Sequence, residues 1–116
     1  MFYPVIMIKS IGVDIEDVKD FKKIIKDNKI INNLFTKREI NYCNKKKEPW
    51  ISFTGKFCAK EALIKAYKKN IEIKNIEILN KKNSKLAVLI NGKEMKNIKC
   101  SIAHTKDKAI AFVIIC

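Results

Sequence analysis

The chain has 116 residues, which fits one compact domain. Its apolar share of 47% can build a core beside 32% charged residues, and no run of eighteen apolar residues occurs, so a membrane-spanning helix is excluded. Lys plus Arg number 25 against 12 Asp plus Glu, and the resulting charge of +13 suits a polyanionic partner.

Part of that charge has a plainer source. Lys, Asn and Ile are abundant throughout and Arg38 is the only arginine, as in proteins from AT-rich genomes. A domain of this size buries about two-thirds of its unfolded surface, so self-association is a natural extra source of stability. Residues 1–6 carry no signal-peptide pattern; with Met7 as an alternative start they read as an N-terminal extension or a cloning remnant.

Val5 to Ile15 is rich in Val and Ile and predicts a strand, with Pro4 at its start. Glu16-Asp17 then open a helix with apolar positions Val18, Phe21, Ile24 and Ile25, fading at Asp27-Asn28. Thr36 with Glu39 is a capping box that starts a short helix ending in Asn44 to Lys47. Glu48-Pro49 begins the longest helix, from about 49 to 69, with Gly55 weakening its middle.

The second half changes period. Ile71 to Ile73, Ile76 to Leu79 and Leu86 to Ile90 predict strands, and Asn91-Gly92 a tight turn. Ile98 to His104 and Ala109 to Ile115 predict a closing β-hairpin. Helices come early and strands late, so the class is α+β: a single small domain with a mainly antiparallel sheet packed with helices.

The four cysteines, Cys43, Cys58, Cys100 and Cys116, show no C-x-x-C spacing and read as reduced; Cys58 and Cys100 read as small core residues. Glycine-rich phosphate loops and nucleophile elbows are missing. What remains is a constellation. Asp14 closes an apolar strand, where it serves either as a helix N-cap or as a metal ligand, and Glu16 two residues on shares its face. Glu61 and Lys65 stand one helical turn apart among Ala59, Ala62 and Ala66, either as a surface ion pair or as part of a site that a ligand approaches closely. His104, the single histidine, stands where a strand meets a turn. Two carboxylates and a lysine of this kind can hold a divalent metal on a polyphosphate.

Together these segments resemble the holo-acyl-carrier-protein synthase family, the small trimeric class of 4′-phosphopantetheinyl transferases. Gly12-Val13-Asp14-Ile15 matches its opening, Thr36 to Glu39 its T-x-x-E, and Phe57, Lys60, Glu61, Ala62, Lys65 and Ala66 its F-x-x-K-E-A-x-x-K-A. Ser101-Ile102-Ala103-His104 matches its closing motif, with Ala103 in place of the usual hydroxyl residue. Other departures are Lys68-Lys69-Asn70 at a glycine-rich turn, Asp20 at a basic position, and Lys56 where Arg is frequent. The match runs from about Met7 to the C-terminus.

The resemblance implies the 4′-phosphopantetheinyl transferase fold and a Mg²⁺-dependent transfer, with Mn²⁺ as an alternative. Phosphopantetheine passes from coenzyme A to a serine of apo-acyl carrier protein, and 3′,5′-ADP leaves. Asp14 and Glu61 would hold the metal, with Glu16 a third contact, direct or through water. Glu61, Lys65 and His104 would be catalytic, with Glu61 or a water on the metal accepting the serine proton. Lys56, Lys60, Lys65, His104 and Thr105 would bind coenzyme A. Lys19, Lys22 and Lys23 would bind the acidic carrier protein. The resemblance also implies a homotrimer with sites between subunits, and a place in fatty acid biosynthesis. It implies the cytoplasm, or an organelle if a longer precursor is trimmed, without membrane or nucleic-acid partners. The rival reading, a small basic nucleic-acid-binding domain, explains the charge. It leaves Asp14 and Glu61 unexplained and lacks a basic stripe interleaved with aromatics.

Overall fold

A computed structural model describes residues 7–116. The expected strand start at Val5, Pro4 and the expected extension 1–6 lie outside the described residues. In chain order the elements are β1 (Ser10–Asp17), α1 (Val18–Ile24), α2 (Asn28–Leu34), α3 (Lys37–Asn44) and α4 (Pro49–Ala66). A single 3₁₀ turn (Ile73–Asn75) precedes β2 (Ile76–Asn80), β3 (Leu86–Ile90), β4 (Lys93–Glu94), β5 (Ile98–His104) and β6 (Lys108–Ile115). The α+β expectation holds, with two three-stranded antiparallel sheets, β1-β6-β5 and β2-β3-β4. Among the described residues no helix is long and apolar enough to cross a membrane.

α4 is the axis of the molecule. It is buried on nearly every side, from Ile51 to Ala66, so it lacks the one-sided apolar stripe of a surface helix. One flank joins Cys58, Ala62 and Leu63 to Ile76, Ile78 and Val88 of one sheet and Ala109, Ala111 and Val113 of the other. The opposite flank packs Phe53 into an aromatic cluster with Phe21, Ile31 and Phe35, where the Phe35 and Phe53 rings lie 5.0 Å apart. Burial pushes the thiols of Cys43, Cys58 and Cys100 up to about 12, so they behave as small apolar side chains.

Several expectations shift. β1 continues to Asp17, so Asp14 lies inside the strand and is not a helix cap; the N-cap position of α1 belongs to Asp17, which pairs with Lys108. Helix α2 was not expected; Asp27 creates it by accepting the Lys29 N–H at 3.0 Å and the Ile30 N–H at 3.2 Å. The Thr36–Glu39 capping box forms as expected. α4 ends at Ala66, not about residue 69, because Tyr67 turns to extended backbone and rests against the core. Ile71 to Ile73 forms no strand: the chain enters a 3₁₀ turn, Ile73–Asn75, closed by the Asn75 N–H on the Glu72 carbonyl at 3.0 Å, and sheet pairing starts only at Ile76 opposite Ile90. The Asn91-Gly92 turn is present, both residues having positive φ (51° and 80°), the backbone a two-residue hairpin turn demands.

Gly12 marks the tightest packing. A Cβ there would lie 2.0 Å from the Ala62 carbonyl oxygen, which is helix backbone and cannot move alone. Gly55 also faces a neighbour, but the nearest atom is a methyl of Ile102 at 3.0 Å, on a side chain that can rotate. Gly12→Ala should therefore lower unfolding stability by about 1–3 kcal/mol or more in urea melts, and Gly55→Ala by clearly less. Equal losses would mean that the β1–α4 seam yields as readily as the Ile102 side chain.

Candidate active site

α4 crosses the β1-β6-β5 sheet. Gly55 lies over Ile102 of β5, Cys58 donates to the Ala109 carbonyl of β6 at 3.3 Å, and Ala62 lies against Gly12 of β1. Because the crossing ends at β1, Glu61 and Lys65 arrive beside Asp14. Along β1 the side chains alternate: Gly12, Asp14 and Glu16 face α4, and Ile11, Val13 and Ile15 face away. The two distant sequence segments are thus joined by one close contact.

Lys65 Nζ donates to the Val13 carbonyl at 3.0 Å and to Asp14 Oδ1 at 3.1 Å. Its ion-pair partner is therefore Asp14, not the helical neighbour Glu61. Asp14 Oδ2 is buried and has no hydrogen-bond donor. Glu16 is pushed up to about 7, first by burial, then by the nearness of the Asp14 carboxyl and by the charges of Asp14 and Glu61. Glu61 is also raised, by burial first and then by the Asp14 charge. Three carboxyl groups thus feel one another. Still, among the described residues no three His, Cys, Asp or Glu side chains converge into a metal cage. The expected Asp14, Glu16 and Glu61 set is not preassembled as a metal cage, and Lys65 takes one oxygen of Asp14.

His104 does not join this cluster within its own chain. Glu16 pairs with Ala109 and Ala109 with His104, one row across three strands. Two strand spacings of about 4.8 Å put His104 roughly 10 Å from Glu16. His104 instead lines a cleft of about 850 Å³ with Lys56, Tyr42 and Ser101. Beside it the Thr105 hydroxyl accepts the Asp107 and Lys108 N–H groups and shapes the β5–β6 turn.

Lys60 corrects the sequence expectation. It was expected to bind coenzyme A, but its side chain is fully buried and donates to Leu34 O and Glu39 Oε1, each at 2.7 Å. Glu39 Oε1 also accepts the Thr36 N–H, and its Oε2 accepts the Ile78 N–H at 2.8 Å. Lys60 is therefore a structural cation, unable to reach a ligand. Lys56 is 3% exposed and donates to Ile78 O and to Asn80 Oδ1, the latter at 2.7 Å, at the wall of the His104 cleft. Lys19, Lys22 and Lys23 are exposed on α1, and Lys22 Nζ sits 5.0 Å from the Trp50 ring centre, a contact that sequence patterning gave no hint of.

The raised Glu16 has a measurable consequence. Its folded value of about 7 exceeds the ordinary 4.5, so between these values the folded chain keeps a proton that the unfolded chain has lost. Stability from this source is complete at low pH and falls as pH rises through the folded value. The melting temperature of the metal-free protein should decline from about pH 5 to about pH 8, and Glu16→Gln should flatten that decline. An unchanged slope in Glu16→Gln would remove Glu16 from the cluster.

The family model described as the 4′-phosphopantetheinyl transferase superfamily matches residues 10–113. The holo-[acyl-carrier-protein] synthase of Thermodesulfovibrio yellowstonii is 41% identical over 113 residues, covering 94% of this chain and 99% of that one. That of Clostridium tetani is 37% identical over 121 residues, covering 94% and 96%. Among solved structures, the holo-(acyl-carrier-protein) synthase of Bacillus anthracis in complex with CoA (3′,5′-ADP) superposes with a TM-score of 0.80 at 27% identity, covering 95% and 97%. Aligned over nearly its whole length with such relatives, the chain belongs to the 4′-phosphopantetheinyl transferase superfamily.

Proposed function

We propose that this chain is a holo-acyl-carrier-protein synthase, transferring 4′-phosphopantetheine from coenzyme A to a serine of an apo-acyl carrier protein. The observation that carries the reading is the Lys65 bridge to Asp14 beside Glu61, in a chain 41% identical to a holo-[acyl-carrier-protein] synthase over 94% of its length. The serine oxygen forms a bond to the phosphorus next to pantetheine, the bridging P–O bond breaks, and 3′,5′-ADP departs with that electron pair. Such a reaction needs positioning and charge neutralisation more than covalent help.

The residues divide this work. Lys65 is 55% exposed at its side chain and can exchange its Asp14 contact for the pyrophosphate, where its charge stabilises the leaving group. Glu61, held above the usual carboxylate range, is suited to take the serine proton. A divalent cation fits this donor set. Asp14 offers a buried oxygen without a partner, Glu16 and Glu61 are raised by burial first and then by the neighbouring carboxylate charge, and Mg²⁺ takes one or two carboxylates together with phosphate oxygens. Asp14 and Glu61 would hold it, Glu16 directly or through water, with Mn²⁺ as an alternative ion. Bound, it would neutralise the pyrophosphate charge.

The outward face of β1 and β6 supports assembly. Ile11 and Ile15 are 60% and 59% exposed, and Val13, Ile110 and Phe112 join them in one apolar surface. Copies of the chain packed through this face, as a homotrimer, would bring the His104 cleft of one subunit to the carboxylates of the next. Lys56 and Thr105 would then contact coenzyme A across the interface, and the lysines of α1 would receive the acidic carrier protein.

Mixing the protein with apo-acyl carrier protein, coenzyme A and Mg²⁺ should add one phosphopantetheine to the carrier by mass spectrometry; no gain with active substrates would refute the assignment. Glu61→Gln should slow turnover far more than Lys69→Gln, which alters an exposed lysine after α4. Asp14→Asn and His104→Ala chains, each inactive, should regain about a quarter of wild-type activity when assembled together, because a cyclic trimer then holds one intact site in each mixed assembly. No recovery would place His104 in its own chain's site.

A further inference from the structure

Trp50 is the only tryptophan, and it is half-buried at the second position of α4. Among the described residues it belongs to neither core cluster, although its neighbours Ile51 and Phe53 are buried. Its ring lies beside α1, under the Lys22 ammonium at 5.0 Å. Lys19, Lys22 and Lys23 follow i, i+3, i+4 spacing, so the three exposed cations form one stripe on that helix. A cation–π contact at a surface contributes only about 0.5–1 kcal/mol, which does not by itself account for a large aromatic ring left outside the core. Tryptophan with a polar rim is the usual composition of an interface hot spot.

We infer that Trp50 is the apolar anchor of the surface that receives the acidic carrier protein. This rests on the function proposed above. The lysine stripe attracts the carrier's carboxylates and orients it, and the indole then takes an apolar side chain of the carrier as Lys22 shifts from the ring to a carboxylate. The division of labour is testable: long-range charge governs encounter and salt dependence, and the buried ring governs how long the complex lasts.

The single indole is its own reporter. In the wild-type protein, adding an apo-carrier that contains no tryptophan should shift the emission to shorter wavelength, and adding coenzyme A alone should not. Trp50→Ala should raise KM for the carrier about tenfold, with kcat and KM for coenzyme A changed less than about twofold. Trp50→Phe should recover part of the loss. An active enzyme whose emission ignores the carrier overturns the inference, as does an unchanged carrier KM in Trp50→Ala, or a loss shared equally by kcat and both KM values. If the wild-type protein modifies no carrier, the proposed function fails first and this inference with it.

Discussion

The backbone contact between Gly12 and Ala62 is the constraint on which the site depends. β1 contributes Asp14 and Glu16, and α4 contributes Glu61 and Lys65. These groups meet only because a residue without a Cβ lets the strand lie against the helix carbonyl. Ala59, Ala66, Ala109 and Ala111 keep the remainder of that seam thin. Such small residues contribute little apolar area, and the deficit is offset on either side of α4, by the aliphatic residues of the second sheet and by the phenylalanine cluster. The short reach that the chemistry needs is thus balanced by bulk elsewhere.

A second constraint sets the rotation of α4. Lys60 and Glu39 form a fully buried ion pair that also engages the Leu34 carbonyl and the Ile78 N–H, so α2, α3, α4 and β2 meet at one point. Next along β2, Glu77 accepts from Thr36 and Arg38. Loss of one member of such a pair leaves a buried charge without its counterion, at a cost of about 3–5 kcal/mol. Lys60 and Glu61 are adjacent in sequence and have opposite fates, because the locked rotation sends one inward and the other toward the carboxylates.

Local chemistry explains what was legible in the sequence. The Thr36–Glu39 box, the Asn91-Gly92 turn and the closing hairpin each depend on residues a few positions apart, and each is present. That Asp14, Glu61 and Lys65 come together was legible through their motif segments. What was not legible depends on partners far along the chain. Asn28, Asn32 and Asn33 are weak helix formers, so α2 is visible only once Asp27 caps it and Ile31 is buried. Lys60 reads as a coenzyme A-binding lysine until Glu39 and Leu34 are placed around it. Asp14 reads as a cap until pairing with β6 carries the strand on to Asp17.

The two faces of β1 also bear on how this sequence can change. Asp14 and Glu16 face α4 and Ile11, Val13 and Ile15 face outward, alternating from Ile11 to Glu16. A side-chain period of two means that shifting the strand by one position exchanges the faces completely, placing isoleucines against α4 and carboxylates on the outer surface. Point substitutions can adjust either face separately. A single-residue insertion or deletion within β1 cannot, and would remove the chemistry and the proposed subunit contact in one event. Changes of length are therefore better tolerated in turns outside β1, where neither of its faces is at stake.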